Sequence, residues 1–348
     1  MISIDNWRLY AIAILSSFFL SFSLTPLIRK IALALDWVDR PSSPIKTHRV
    51  ATPVVGGIAL YAAYTLTLIF LRFWTQFPTG TLHSLRSLLI GASMIFACGI
   101  FDDINKPKGL DYRVKFLIEF AAASIVLLNG IRIRFISPAY LASFLTILWI
   151  VGITNALNII DIMDGLSASQ AAIAALGFLL ISLPSEQLYV NFASAALAGA
   201  AIGFLPWNFS KKRKIFMGDS GSLVLGFLLA CVSLGTRYSD INPAGVYAPI
   251  LILLVPMYDT FFVMILRLIK GKSPFMGSKD HFALRLEKMG YSRIQVVLIA
   301  AAIAGFLGFC GFLATQLHLL GAIILYGILI VPILYLSRAL ARVAIYDD

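Results

Sequence analysis

Charge is what this sequence has least of. Only 13% of its 348 residues are Asp, Glu, Lys or Arg, about half of the roughly 25% that a soluble domain carries. The apolar share is 59% and the mean hydropathy +0.89. Much of it comes in runs of about 20 residues, the length of a membrane-crossing helix. This excludes a soluble globular domain and implies a polytopic helical membrane protein. Cysteine is scarce too. Cys98, Cys231 and Cys310 lie in apolar runs without metal-type spacing. They read as small core hydrophobes, with neither a disulfide framework nor a zinc site. Low-complexity linkers and internal repeats are missing, which leaves residues 1–348 as one integral-membrane domain. The first apolar run has no small-residue cleavage site, so it reads as a retained span.

Acidic residues are outnumbered, 17 against 28 basic ones, for a net charge of +11. Apolar runs near 9–28, 54–73, 85–101, 115–130, 139–156, 168–183, 189–206, 222–236, 244–268, 295–314 and 318–336 predict an all-α bundle of about eleven spans. Nearly all Lys and Arg fall in the connections 29–51, 102–115, 208–219, 267–293 and 337–348. The exceptions are Arg8, Arg72, Arg86, Arg132, Arg134 and Arg237, all assigned to the opposite side. The positive-inside rule makes the first set cytoplasmic and puts the N-terminus outside. Such a basic face suits anionic headgroups or an anionic substrate. No basic-aromatic module or soluble domain accompanies it, so nucleic acid is not an expected partner.

The unusual polar stretches all fall on that cytoplasmic side: FDDINKPKGLDYRVK, NALNIIDIMDGL, NFSKKRKIFMGDSGS and GKSPFMGSKDHFALRL. A transporter is expected to place its polar groups near the bilayer midplane, often on broken helices. Clustering at one interface fits an enzyme that meets a soluble substrate and a lipid together. Ionisable groups at membrane depth are costly and usually functional.

In NALNIIDIMDGL, Asn155, Asn158, Asp161 and Asp164 recur every three residues, which in a helix puts them along one side. Asp102 and Asp103 are adjacent carboxylates, able to serve as a base or to help hold a divalent cation; a capped helix end is the plain alternative. Lys106, Lys108, Arg113 and Lys115 follow and could neutralise phosphates, although Lys108 reads as an ordinary basic loop residue. In FMGDSGS, Asp219 is a hard oxygen ligand for Mg²⁺, or an N-cap of the next helix. No histidine arrangement supports a serine hydrolase there. Asp259 is too far along its helix to pair with Arg267 and is expected to bond a neighbouring helix. His281 and Arg285 are four apart, on one face if helical. His48 reads as a surface residue, and His83 and His318 fall on the side opposite the polar cluster.

Taken together, these motifs resemble the polyprenyl-phosphate N-acetylhexosamine-1-phosphate transferase family. That family includes the enzymes that start O-antigen, enterobacterial common antigen and teichoic acid assembly. It also includes the phospho-N-acetylmuramoyl-pentapeptide transferase and the dolichyl-phosphate enzyme. FDD, N-x-x-N-x-x-D-x-x-D-G-L, FMGDSGSL and P-x-x-D-T in this order carry the resemblance, from KTHRVATPVVGGIAL to HFALRLEKMG. It implies a multi-pass enzyme of the inner (plasma) membrane with a cytoplasmic site.

The same resemblance implies the roles. Asp219 would be the magnesium ligand, with Mn²⁺ as a substitute ion. Asp102 and Asp103 would lie near the lipid phosphate, Asp102 as the base. Asn158, Asp161 and Asp164 would line the nucleotide and metal pocket. Phe216 would pack on uracil, Lys46 and Lys106 would lie near the diphosphate, and Asn208 would contact the nucleotide. His281 would serve catalysis; Arg285, at a position where the chain departs from the family, is a permanent cation that could hold phosphate but not exchange a proton. Two departures stand out. The usual N-x-P-A-K-I-F-M-G-D run reads NFSKKRKIFMGD, longer and without proline. The histidine-rich motif reads HFALR, where only His281 matches and Leu284 and Arg285 take the later positions. The missing histidines argue against a pentapeptide substrate. The implied reaction transfers N-acetylhexosamine-1-phosphate from a UDP-N-acetylhexosamine, with N-acetylglucosamine the first choice, to undecaprenyl phosphate and releases UMP, and the family allows a homodimer. A transporter or a silent scaffold is the non-enzymatic alternative.

Overall fold

A computed structural model describes residues 4–40, 50–106, 108–184, 187–273, 278–343 and 345. The chain is a polytopic helical bundle. In order it comprises α1 (Ile4–Ala34), a two-residue ribbon of β1 (Val38–Asp39) against β2 (Thr52–Pro53), α2 (Gly57–Trp74), α3 (Thr79–Ile104), α4 (Tyr112–Leu128), α5 (Ala139–Ile159), α6 (Leu166–Ser182), α7 (Leu188–Asn208) and α8 (Asp219–Ser233). A 3₁₀ turn (Pro243–Tyr247) then leads to α9 (Ala248–Ile252), α10 (Leu254–Ile269), α11 (Phe282–Lys288), α12 (Arg293–Gln316) and α13 (Leu319–Ala341).

Each expected span falls on helix. Seven of these helices, α1, α2, α3, α5, α7, α12 and α13, are each long and apolar enough to cross a membrane. The expected span at 244–268 is bent by 71° between α9 and α10 and counts as an eighth if the pair is one span. The break has a local cause. Pro256 lacks an N–H for the carbonyl four residues back, and its ring crowds that carbonyl, which favours a bend between α9 and α10, although α1, α7 and α13 run through an internal proline unbroken. The other expected spans are α4, α6 and α8, of 17, 17 and 15 residues. At 17 residues α4 and α6 are at the lower end of the roughly 17–25 that cross a bilayer, and α8 is below it.

Burial explains α8. Its sequence is apolar all round, and Ser220 to Ser233 are buried throughout; a helix of that pattern belongs in a protein interior. It packs against α2, α3, α5, α6 and α7. Small residues bring the outer helices close. On α7 a Cβ at Gly199 or Gly203 would lie 2.2 or 2.4 Å from the Ile14 or Phe18 carbonyl oxygen of α1. Side chains there would force the two helices apart, the usual role of small residues four apart in membrane helices. Cys98, Cys231 and Cys310 are free and buried, as expected. By contrast, α13 leaves most of its apolar surface uncovered, as a lipid-facing helix must.

Candidate active site

The first turn of any helix leaves N–H groups without internal partners. For α8 they are met from another helix. Asp103, in the last turn of α3, accepts the Asp219 amide on Oδ1 and the Ser220 amide on Oδ2, both at 2.9 Å. A carboxylate there also meets the positive end of the helix dipole. The approach requires glycine at 218. Its φ is +73°, and a Cβ would sit 2.0 Å from the Val54 carbonyl oxygen and 2.3 Å from Asp103 Oδ2. The TPVVGG segment contributes the rest of the frame. Phe216 donates its amide to the Pro53 carbonyl, and Gly56 and Gly57 donate theirs to the Phe216 and Met217 carbonyls.

Two lysines bridge the carboxylates. Lys106 Nζ is 3.0 Å from Asp103 Oδ1 and 3.4 Å from Asp219 Oδ1. Lys115, from α4, is 2.8 Å from Asp102 Oδ1 and 2.6 Å from Asp219 Oδ2. Asp102 Oδ1 also accepts the Leu110 amide at 2.7 Å. Burial pulls the Lys106 pKa down, but the Asp219 and Asp103 charges outweigh it and hold the ammonium above its usual range. Asp161 has less help. Burial, then the nearby Asp219 charge, push its pKa up to about 7.

Asp219 opens onto a cleft of about 310 Å³. Asn158, Asp161, Asp164, Lys106, Asn208 and Phe216 line it too, so most of the expected site converges. Asp102, held by Lys115, and Asp103 do not line it. Asn208 Oδ1 accepts the Gly165 amide at 2.5 Å and its Nδ2 donates to the Ile215 carbonyl at 2.9 Å. Its amide is thus spent joining two loops of the wall, despite the altered run that follows it. Asn158 donates to Ser222 Oγ at 2.9 Å.

The expected one-sided stripe is broken. Helix α5 ends at Ile159, so Asp161 and Asp164 lie in the turn before α6. Asn155 points elsewhere and donates to the buried Glu119 carboxylate of α4.

The histidine loop also differs from expectation. His281 is buried, with Nδ1 2.7 Å from Asp259 Oδ2, and the other Asp259 oxygen accepts the Phe282 amide. This is the neighbouring-helix partner expected for Asp259. Arg285 is 2% exposed, and its guanidinium is taken by Asp280 and by carbonyls at the end of α13. Neither His281 nor Arg285 lines the cleft. Arg285 is therefore no phosphate ligand in this arrangement, because its donors are already committed. Lys46 and His48 lie outside the described residues.

Several cleft residues were missed in the sequence. Lys214 reaches Asp164 Oδ2 at 2.5 Å and lies 5.5 Å from the Phe216 ring centre. Its place two residues before Phe216 was the available signal. Asp39, Lys279 and Arg293 line the far side, and nothing local in the sequence marks them.

The carboxylates also fit a hard divalent ion. Oxygens of Asp102, Asp103 and Asp219 lie within 4.8 Å of one another, an all-oxygen donor set of the kind such ions take. Asp103 is occupied as the α8 cap, and of the three only Asp219 lines the cleft; both its oxygens are paired with ammonium groups, which an ion there would have to displace.

Comparison with known proteins finds a family and relatives. The family model described as glycosyl transferase family 4 matches residues 85–237. The "probable undecaprenyl-phosphate N-acetylglucosaminyl 1-phosphate transferase" of Bacillus subtilis (strain 168) is 31% identical over 285 residues, covering 79% of this chain and 76% of that protein. The decaprenyl-phosphate N-acetylglucosaminephosphotransferase of Mycobacterium tuberculosis is 29% identical, covering 94% of this chain and 90% of its own. The undecaprenyl-phosphate alpha-N-acetylglucosaminyl 1-phosphate transferase of Escherichia coli (strain K12) is 26% identical, covering 89% and 84%.

Proposed function

The chain belongs to glycosyl transferase family 4, the polyprenyl-phosphate N-acetylhexosamine-1-phosphate transferases, and from that premise we propose that it transfers N-acetylglucosamine-1-phosphate from UDP-N-acetylglucosamine to undecaprenyl phosphate. An oxygen of the lipid phosphate bonds to the β-phosphorus of the donor. The bond from that phosphorus to the oxygen bridging the α- and β-phosphates breaks, and UMP leaves. The product is undecaprenyl diphosphate-N-acetylglucosamine, made at the cytoplasmic face of the plasma membrane. This suits the first membrane step of an envelope glycan.

The observation that carries this reading is the meeting of Asp103 and Asp219 at the start of α8, with Lys106 and Lys115 between the carboxylates and the cleft alongside. A donor diphosphate entering there meets cations held in place before it arrives. Preorganised charge of this kind is the main resource in phosphoryl transfer. Phe216 offers a ring for the uracil, and Lys214 beside it a cation for phosphate. The acceptor phosphate is already ionised at neutral pH, so no strong base is needed. Asp102 then positions Lys115 rather than removing a proton. Asp219, with Asp161 nearby, would hold Mg²⁺, which when bound neutralises the diphosphate and stabilises the UMP leaving group.

UMP release from UDP-N-acetylglucosamine tests the proposal, using purified protein, undecaprenyl phosphate and Mg²⁺. Turnover that disappears in Asp219→Ala and with a chelator supports it. No release from any UDP-N-acetylhexosamine returns the chain to a scaffold or transporter role.

A further inference from the structure

Arg285 carries more than its place in a short helix requires. Nε donates to the Asp280 carbonyl at 3.2 Å and Nη2 to the Asp280 carboxylate at 2.8 Å. Nη1 reaches the Leu340 carbonyl at 3.0 Å, Ala341 at 3.4 Å and Val343 at 2.5 Å. These three carbonyls belong to the last turn of α13 and the residues after it, where the final C=O groups of a helix lack internal partners. A cation there also meets the negative end of the helix dipole. The guanidinium plane lies 5.5 Å from the Phe262 ring of α10. All three nitrogens are thus engaged, and the group is buried.

What Arg285 holds matters for the cleft. Asp280 is also bound by Lys270 at the end of α10 and by the Ser278 hydroxyl. Ser278, Lys279 and Leu284, next to Asp280 and Arg285 in the chain, line the same cleft as Asp219. We propose that Arg285 is a positioning residue that clamps the 278–284 wall of the cleft to the carbonyl end of α13, and so sets affinity for the sugar-nucleotide donor. The effect on the donor rests on the proposed transferase function; the clamp itself does not. A planar fork with five donors can span a carboxylate and a helix end together, which an ammonium cannot.

Two measurements on the full chain in detergent or nanodiscs test the clamp. The first is hydrogen–deuterium exchange. In Arg285→Met, the amides of 280–285 and of 340–343 are expected to exchange about tenfold faster together, as loss of a charge-assisted buried bond predicts, with the α8 core unchanged. Faster exchange in only one segment, or everywhere, would overturn the clamp. The second is steady-state kinetics of UMP release. The donor KM is expected to rise about tenfold, with kcat and the acceptor KM within about twofold. A fall in kcat at constant KM would contradict a positioning role. Arg285→Lys separates fork from charge: it should keep the pair with Asp280 yet fail to restore protection at 340–343. Full rescue by lysine would overturn the clamp. If the wild-type chain releases no UMP, the proposed function fails, and the exchange experiment still decides the clamp.

Discussion

The carboxylate of Asp103 caps the helix that begins with Asp219. One oxygen takes the Asp219 amide and the other the Ser220 amide. A residue that the sequence offers as a candidate base is thereby the part that fixes where Asp219 stands. The two aspartates are 116 positions apart, yet neither has its geometry without the other.

Replacing this cap separates structure from charge. Asp103→Ala leaves two buried amides unpaired and Lys106 short of a partner. Each unpaired group costs about 1–3 kcal/mol, so a fall in thermal stability and loss of turnover are expected together. Asp103→Asn keeps one acceptor, removes the charge and sets an NH₂ donor against the second amide. It should lose less stability than Asp103→Ala and still lose about 100-fold in kcat. Thermal unfolding and UMP release on both variants check this, and an active Asp103→Ala protein would contradict it.

Lys115 joins Asp102 to Asp219 from a third helix. Lys115→Met should lower kcat by about 100-fold, the usual cost of removing one preorganised charge. A loss confined to the acceptor KM would show instead that Lys115 only gathers the lipid phosphate.

Phe216 supplies the aromatic face of the cleft. Stacking on a base is worth about 1–3 kcal/mol. Phe216→Ala should therefore raise the donor KM by about tenfold or more and leave the acceptor KM unchanged, with Phe216→Trp close to wild type. Equal loss in both variants would remove the ring from nucleotide binding.

Asp280 gives a pH signature. Burial raises its pKa, but the Lys270 and Ser278 hydrogen bonds and the Lys270 and Arg285 charges outweigh this and hold it below the ordinary carboxylate range. A carboxylate with a depressed folded pKa stabilises the protein fully above its unfolded value, near 3.9, and loses that contribution as pH falls through the lower folded value. The melting-temperature gap between wild type and Asp280→Asn should be constant from about pH 8 to about pH 5 and close below about pH 4. A gap that widens in acid would reverse the sign.

Much of this could be read from the chain alone, for identifiable reasons. Apolar runs mark helices because the bilayer leaves the backbone few alternatives, and Asp102, Asp103, Asp161, Asp164 and Asp219 stand out because charge is otherwise so rare. Of these, Asp161, Asp164 and Asp219 line the cleft, and Asp102 and Asp103 lie beside Asp219 without lining it. Pairings across long separations were not legible. Arg285 and His281 share a helix-face spacing that suggested ligand contacts. Their partners are Asp280, Asp259 and the end of α13, the last 55 or more residues beyond Arg285. Lys214 finds Asp164 at a separation of 50. The end of α5 at Ile159 takes Asp161 and Asp164 off the helix, while Asn155, still on it, bonds Glu119 of α4, and no three-residue period could reveal either. The 71° bend at Leu253 was signalled by Pro256 but hidden in an unbroken apolar run.

The most direct test of the account is UMP release from UDP-N-acetylglucosamine and undecaprenyl phosphate by wild type, Asp219→Ala and Asp219→Asn side by side. The account predicts turnover in the wild type, dependent on a divalent ion, and a loss of about 1,000-fold or more in both variants. Asp219→Asn turning over at the wild-type rate would contradict it, because the α8 carboxylate would then hold no charge that the reaction needs.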